Sequence, residues 1–279
     1  MRALIKREIR RAIFRFRPQR AVLPNDGCVA HAPSAQTTVD LIDGWHSEFP
    51  ASTGVNTGGY ARVFEDARVP WAIERLGGVQ GASIAELGPL EGGHTYMLDR
   101  AGAKSIVAIE GFKRSYLKCL IAKELLDIKS AHFLLGDFVP WLESEPRRFD
   151  LIWASGVLYH MTEPLRLLRS IATHADKIFL WTQYYPDDFA PTRPFQPPLV
   201  GIRQVPFEGK LVPHFERSYV LTNRPWFCGG VYSGCAWLRR GDILDALSVL
   251  GFSKIDIAFE QQTDDGEPSF AVVARREGA

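Results

Sequence analysis

Three carboxylates and a glycine-bearing loop carry the first chemistry that can be read from this chain. Glu86 lies in a short apolar run with Ile84, Ala85 and Leu87, and a loop containing Gly88, Pro89, Gly92 and Gly93 follows at once. Glu110 comes at the end of SIVAI (Ser105–Ile109), Asp137 after Ala131–Leu135 and Gly136, and Ser155-Gly156 after DLIWA (Asp150–Ala154). Each polar group therefore sits at the carboxyl end of a predicted strand, where an α/β sheet presents side chains to a ligand. An acid ending the second strand is the expected partner of a ribose diol. Its charged hydrogen bonds are worth ~1.5–3 kcal/mol each. An acid two residues before the first glycine suits the ammonium of an aminoacyl ligand, and Asp137 suits an adenine amino group. The G-x-G-x-x-G spacing is absent, which argues against a pyrophosphate cradle and hence against a nicotinamide dehydrogenase.

These side chains need a parallel sheet to bring them together, and the alternation of strand and helix signals supplies one. A helix is predicted from about Tyr60 to Leu76. Another runs over Ser115–Leu126 with Tyr116, Cys119, Leu120, Ala122 and Leu125 inward, and a third over Pro164–Thr173. Lys177–Trp181 is a fifth strand. A helix at Arg240–Leu250 and an antiparallel pair, Lys254–Phe259 and Ser269–Ala274, close the fold, because the short link QQTDDGEP suits a hairpin better than a crossover. Between them, residues 183–238 hold eight of the 18 prolines and 11 aromatic side chains. That many prolines cannot lie in helices or a central sheet, and that many aromatics should not face water. The segment reads as an ordered insertion packed over something. Gly44–Tyr60, which mixes aromatics with turn formers, reads as a second cover.

Composition narrows the class. The 279 residues are 46% hydrophobic and 23% charged with a formal net charge of +1, ordinary globular values. Eight of the basic residues fall within positions 1–20 against one acid, Glu8, so the remainder is mildly acidic and a broad nucleic-acid surface is not expected. Four cysteines do not make a disulfide framework, and the Cys228–Cys235 spacing matches no usual zinc motif; all four read as reduced thiols in a cytosolic protein. No apolar run reaches membrane-spanning length. Ile5, Ile9, Ala12, Ile13 and Phe16 recur at helical spacing among the basic residues, up to Pro18. Three readings of residues 2–17 stay open: contact with an anionic membrane at its inner face, a solvated or self-packed helix, and a targeting segment or acidic-partner site.

ELGPLEG (Glu86–Gly92), Glu110, Asp137-Phe138 and FDLIWASGVLYHM (Phe149–Met161) together resemble the class I S-adenosylmethionine-dependent methyltransferases, over about Gly78–Arg275. The resemblance implies a Rossmann-like α/β fold with a mostly parallel seven-stranded sheet and an antiparallel last strand. It implies S-adenosylmethionine as cofactor, held by Glu86, Gly88, Pro89, Leu90, Gly92, His94, Glu110, Gly111, Asp137, Phe138 and Ser155. Leu90 departs from the family, which usually has a second glycine there, so the loop is expected to approach the methionine portion differently. GPLEGGHTY, AGAKSIVAIEG and GVLYHM look like a narrower group associated with bacterial polysaccharide and secondary-metabolite genes. WHSEFP and GVLYH bear a weaker likeness to enzymes that modify the wobble uridine of transfer RNA.

The expected organisation is a basic amphipathic helix (1–22), a cap segment (23–77), the cofactor-binding core (78–182), a substrate lid (183–238) and a closing helix with a strand pair (239–279). The expected reaction is O-methylation of a glycan or related metabolite. His160 is the first candidate base and His214 the second, since a positioned base contributes ~10²–10⁴-fold; a structural role for His160 stays open. Tyr159, Tyr184 and Tyr185 are the expected acceptor contacts. His94 reads equally as helix packing or ligand contact, and Asp137 has a second reading as a helix N-cap. Asp187 and Asp188 read as solvated acids, and no metal is assigned. Transfer-RNA modification and a non-catalytic partner subunit are the alternatives. The oligomeric state is not legible.

Overall fold

In the computed structural model the strands form where short apolar runs are buried on both faces, as a sheet covered by helices on each side requires. The structure describes residues 28–186, 198–220, 231–262 and 268–279. The basic stretch 1–20, Cys228, Asp187, Asp188, Phe189, Phe195, Trp226 and Phe227 lie outside the described residues. Contact density divides the chain into two units, Met1–Ser34 and Ala35–Ala279; the fold and the cavity described below lie in the second.

Seven strands make the main sheet: β1 (Ser83–Leu87), β2 (Ser105–Glu110), β3 (Ala131–Leu135), β4 (Leu151–Ser155), β5 (Lys177–Gln183), β9 (Lys254–Gln262) and β10 (Pro268–Arg275), in the order β3-β2-β1-β4-β5-β10-β9. Strands β1 to β5 pair in parallel, while β10 is antiparallel to both β5 and β9. This is the mostly parallel seven-stranded sheet with an antiparallel last strand. The order reverses between β1 and β4, which opens a crevice outside their carboxyl ends. Register places Glu86 opposite Trp153, Glu110 opposite Leu135 and Ser155 opposite Trp181, so the strand-end residues share one edge.

Alternation along the strands splits the core into two layers. Ile84, Ile106, Trp153 and Phe179 face α2 (Arg68–Leu76), α3 (Gly93–Arg100) and α4 (Lys113–Leu125), which follow the short α1 (Ala35–Val39). Ala85, Leu87, Ile152 and Leu180 face α5 (Phe138–Ser144), α6 (Pro164–His174) and α7 (Arg240–Val249). Helix α2 begins later than the predicted Tyr60, because a separate 3-10 turn occupies Val63–Glu65. In α4 the inward face is also rotated from the expected one. Leu120 is 39% exposed while Lys118 is buried, since a carboxylate awaits the lysine below.

The proline-rich insertion holds regular structure: a second, antiparallel sheet of β6 (Leu199–Phe207), β7 (Lys210–Ser218) and β8 (Gly234–Trp237). Among the described residues its prolines stay out of the helices and the main sheet, and two of them sit in this small sheet for an edge reason. Pro206 lies on the edge strand β6. Pro213 lies where β7 has lost β8 as a neighbour, since β8 pairs only with Phe215–Ser218. At both places a missing N–H costs no ladder bond on the open side. Glu208 and Gly209 both take positive φ, the two-residue hairpin turn that matches strand twist. The small sheet meets the main body at the turn Leu158–His160, through Ala236 N–H donating to Met161 O at 2.7 Å.

Candidate functional site

The carboxyl edge of the main sheet borders a cavity of about 590 Å³, within the range of small-molecule sites. Its two halves differ in charge. The ends of β1, β2 and β3 contribute Glu86, Glu110 and Asp137 and no basic side chain. Residues 61–68 with the ends of β4 and β5 contribute Arg62, Glu65, Asp66 and Arg68, together with Ser155, Tyr159, His160 and Trp181.

In the acidic half Glu86 is 2% exposed, and its Oε2 accepts from Thr95 Oγ1 at 2.5 Å. Burial pushes its carboxyl up to about 7; the Thr95 bond opposes this and Glu110 adds to it. Glu110 accepts from Leu90 N–H at 3.0 Å and Phe112 N–H at 2.8 Å. Burial nonetheless lifts it to about 7. Asp137 does two things at once. Its Oδ1 caps α5 by accepting from Val139 N–H at 2.9 Å, while Oδ2 accepts from the Tyr232 hydroxyl at 3.3 Å.

The loop between β1 and α3 is fixed by its backbone. A Cβ on Gly88, at φ +67°, would lie 2.6 Å from Val157 Cγ1, so no side chain fits there. Leu90 has φ 56°, the left-handed region that a glycine would occupy freely. The loop thus holds Leu90 in the backbone conformation that a glycine would adopt. Holding a leucine there costs about 1–2 kcal/mol, offset in part by its N–H bond to Glu110. The next residue, Glu91, is buried and accepts from His46 N–H at 2.9 Å, Ser47 N–H at 2.8 Å and Lys118 Nζ at 2.7 Å. Lys118 also donates to Gly44 O. One buried ion pair therefore fastens residues 44–47 to the loop, and His46 lines the cavity.

The other half is organised by a buried polar chain. Trp153 Nε1–H donates to His94 Nδ1 at 3.0 Å, and His94 Nε2–H donates to Asp66 Oδ2 at 2.9 Å. Indole nitrogen only donates, so His94 is held neutral with its proton on Nε2. Burial lowers its pKa in the same sense. Burial alone would raise Asp66, but the bonds from His94 and Arg68 outweigh it and hold the carboxyl well below the usual range. Arg68 grips both Asp66 oxygens, and its guanidinium lies 4.3 Å over the Trp181 ring. His160 Nδ1 is 2.8 Å from the Tyr219 hydroxyl, and burial depresses its pKa to about 4. The rings of Tyr159 and His160 are 4.2 Å apart.

Of the sequence-predicted residues, Glu86, Gly88, Pro89, Leu90, His94, Glu110, Gly111, Asp137, Phe138, Ser155, Tyr159 and His160 border this one cavity. Gly92 does not; at φ +83° it starts α3 and faces Phe133 and Ala122. Tyr184 packs edge-on against Phe270, and Tyr185 is stacked on Phe215 at 3.6 Å, so both lie in packed clusters rather than at the cavity. His214 lies in β7 opposite Arg203, away from the cavity, with both ring nitrogens buried and without a hydrogen-bond partner among the described residues. Burial and the Arg203 charge push it down to about 4. Sequence reasoning missed Asp66, Arg68, Glu91 and Trp181. Trp181 lies in β5 in register with Ser155, and it closes the predicted strand Lys177–Trp181, so the rule that found the other strand-end residues would have found it. No local signal marks the other three. Among the described residues Cys28, Cys119 and Cys235 are free thiols, no group of three metal-ligating side chains occurs, and no helix is long and apolar enough to cross a membrane.

Comparison with solved structures shows that the chain shares its fold with S-adenosylmethionine-dependent methyltransferases. The N-terminal domain of EvdMO1, solved in the presence of SAH and D-fucose, has a TM-score of 0.63 at 23% identity, covering 87% of this chain and 95% of that one. A methyltransferase of this type from Mesorhizobium loti has a TM-score of 0.54 at 19% identity, covering 77% of this chain and all of that one (100%). Identities this low establish the fold. By sequence the chain is similar to the tRNA U34 carboxymethyltransferase of Campylobacter hominis, 27% identical over 113 residues, 39% of each protein. It is also similar to that of Colwellia psychrerythraea, 26% identical over 172 residues, 60% of this chain and 46% of the relative. The match spans less than half the length of either curated relative. No family model matches the chain.

Proposed function

We propose that the chain is an S-adenosylmethionine-dependent methyltransferase that acts on a hydroxyl of a glycan or related small metabolite. One observation carries the reading: Glu86, Glu110 and Asp137 line the half of a single cavity that contains the glycine loop and has no basic side chain. The residues fit the cofactor. Glu86 is a carboxyl whose pKa is raised by burial; no cationic side chain pairs with it among the described residues, and a ligand ammonium would supply that charge. Glu110 is held by backbone N–H groups with its carboxylate at the cavity, suited to a ribose diol. Asp137 and Phe138 suit an adenine edge. When bound, the cofactor supplies an electrophilic methyl on a sulfonium.

The chain's own contribution is placement. The acceptor would occupy the half bounded by Arg68, Tyr159, His160 and Trp181, where in-line positioning can provide much of the rate. His160 is the proposed base. Burial keeps its imidazole neutral at pH 7, the form that can accept the hydroxyl proton. The insertion contributes Val231 and Tyr232 to the cavity wall. Calorimetry with S-adenosylmethionine tests the reading. Binding is expected, weakened by Glu110→Ala; no binding, or binding indifferent to that change, would overturn it.

The curated relatives favour a second reading, modification of the transfer-RNA wobble nucleoside. The balanced charge of the acceptor half favours a neutral acceptor instead. Salt titration separates the two, since phosphate binding weakens steeply as salt rises. Residues 2–17 are proposed to touch anionic membrane; cosedimentation of the full chain with anionic but not neutral vesicles is the expected result, and equal recovery with both would remove the idea.

A further inference from the structure

Resting on the methyl-transfer reading, the acceptor half carries enough detail to name the kind of acceptor and the residue that orients it. Its four charged side chains form two closed pairs, Arg62 with Glu65 and Arg68 with Asp66. The adjoining half adds three acids and no base. An anionic acceptor would thus enter a cavity with no unpaired positive charge and a surplus of carboxylates, at a Coulombic cost made worse by low dielectric. Arg68 nevertheless keeps donors to offer. Its Nε and Nη2 are committed to Asp66, while Nη1 makes no hydrogen bond among the described residues, although Arg68 borders the cavity. The guanidinium cannot swing away, since Trp181 lies under it at 4.3 Å and Asp66 is itself fixed by His94, which Trp153 fixes in turn. A planar, pre-oriented donor beside an aromatic wall is a means of aligning an oxygen-rich ring.

We propose that Arg68 selects and orients an uncharged, hydroxyl-bearing ring by hydrogen bonding to one of its oxygens through Nη1, and that Asp66, His94 and Trp153 are positioning residues for that guanidinium. Neutral glycosides fit this site, and uronic acids and nucleic-acid phosphates do not.

The test uses the full chain and methyl-labelled S-adenosylmethionine. The probes are methyl glycosides of neutral hexoses and 6-deoxyhexoses, the matching uronic acids, and a short single-stranded RNA. Label should enter a neutral glycoside at least tenfold faster than its uronate. Arg68→Gln should raise KM for that glycoside tenfold or more with kcat changed less than threefold and cofactor affinity by calorimetry unchanged. Asp66→Asn should raise KM in the same way, and Arg68→Lys, which keeps a cation beside Asp66 should the glutamine variant not fold, should recover part of the loss. Faster labelling of uronates or RNA, an unchanged KM in Arg68→Gln or Arg68→Lys, or cofactor binding with no neutral glycoside labelled would each overturn the proposal. Failure of the wild-type chain to bind S-adenosylmethionine would instead overturn the methyltransferase reading itself.

Discussion

The two halves of the cavity solve opposite electrostatic problems with the same kinds of side chain. Along β1 to β3, buried carboxylates stand without cationic partners, and burial lifts Glu86 and Glu110 to about 7. Along β4, β5 and residues 61–68, every carboxylate has an arginine beside it, and Asp66 is pulled well below its ordinary range. A half that leaves charge unpaired is prepared for a charged ligand, because an uncompensated buried charge is costly until something binds it. A half that closes its own pairs presents shape and hydrogen-bond donors instead. Cofactor binding should therefore respond to pH and to single acids, and the acceptor side to the geometry of neutral groups.

Four substitutions and one titration test that contrast. The largest effect is expected at His160: His160→Ala should lower kcat about 10²–10⁴-fold while leaving cofactor affinity by calorimetry nearly unchanged. Equal losses in both would make His160 a binding residue and blur the division. Lys118→Ala should destabilise the fold by about 3–5 kcal/mol in denaturant titration, because it leaves the Glu91 carboxylate buried without its cation. A loss under ~1 kcal/mol would mean that the His46 and Ser47 amides alone hold the loop. Glu110→Ala should cost about 2–4 kcal/mol of S-adenosylmethionine affinity if two charged hydrogen bonds go with it, with kcat at saturation much less affected.

The pH response follows with a definite sign. A bound cation favours ionised Glu86, so affinity should fall as pH drops through 7, by up to about tenfold per unit for each coupled group; calorimetry between pH 5.5 and 8.5, roughly the window those raised values set, would show it. A flat profile would mean that neither acid faces the ligand's charge. In the ligand-free chain the same groups act oppositely. Their folded values lie above the ordinary 4.5, so the stability they contribute is complete below 4.5 and lost as pH rises through about 7. The smallest effect belongs to His214. Replacing a buried imidazole that lacks hydrogen-bond partners, as in His214→Leu, should change stability by about 1 kcal/mol in the stabilising direction; a large loss would point to a partner among residues outside those described.

Much of the acidic half was legible in the sequence because it follows a local rule. Glu86, Glu110 and Asp137 each end or follow a short apolar run, and a parallel sheet aligns such ends along one edge whatever the rest of the chain does. The N-cap reading of Asp137 is local too, since one oxygen caps α5, whereas the other accepts from Tyr232, 95 residues away. Tyr184 and Tyr185 show where the local rule stops. They leave β5 at the right edge, yet a nearby phenylalanine captures each ring, and Tyr185 N–H binds Leu238 O instead. Proline count kept the insertion out of the main sheet but did not reveal its own small sheet, because a proline's cost depends on whether a neighbouring strand is present, which composition cannot say.

The sequence by itself determined the strand order's raw material, the glycine loop and the three acids, since period, turn chemistry and strand ends are properties of neighbouring residues. Only the tertiary structure decided the acceptor half. His94 meets Trp153 across 59 residues and Asp66 across 28, and Glu91 reaches His46 across 45. Contacts of that span depend on how layers pack, and no short stretch of residues encodes them. The same packing decided that Leu90 would take a glycine's backbone and that Lys118, in the middle of a helix, would be buried against Glu91.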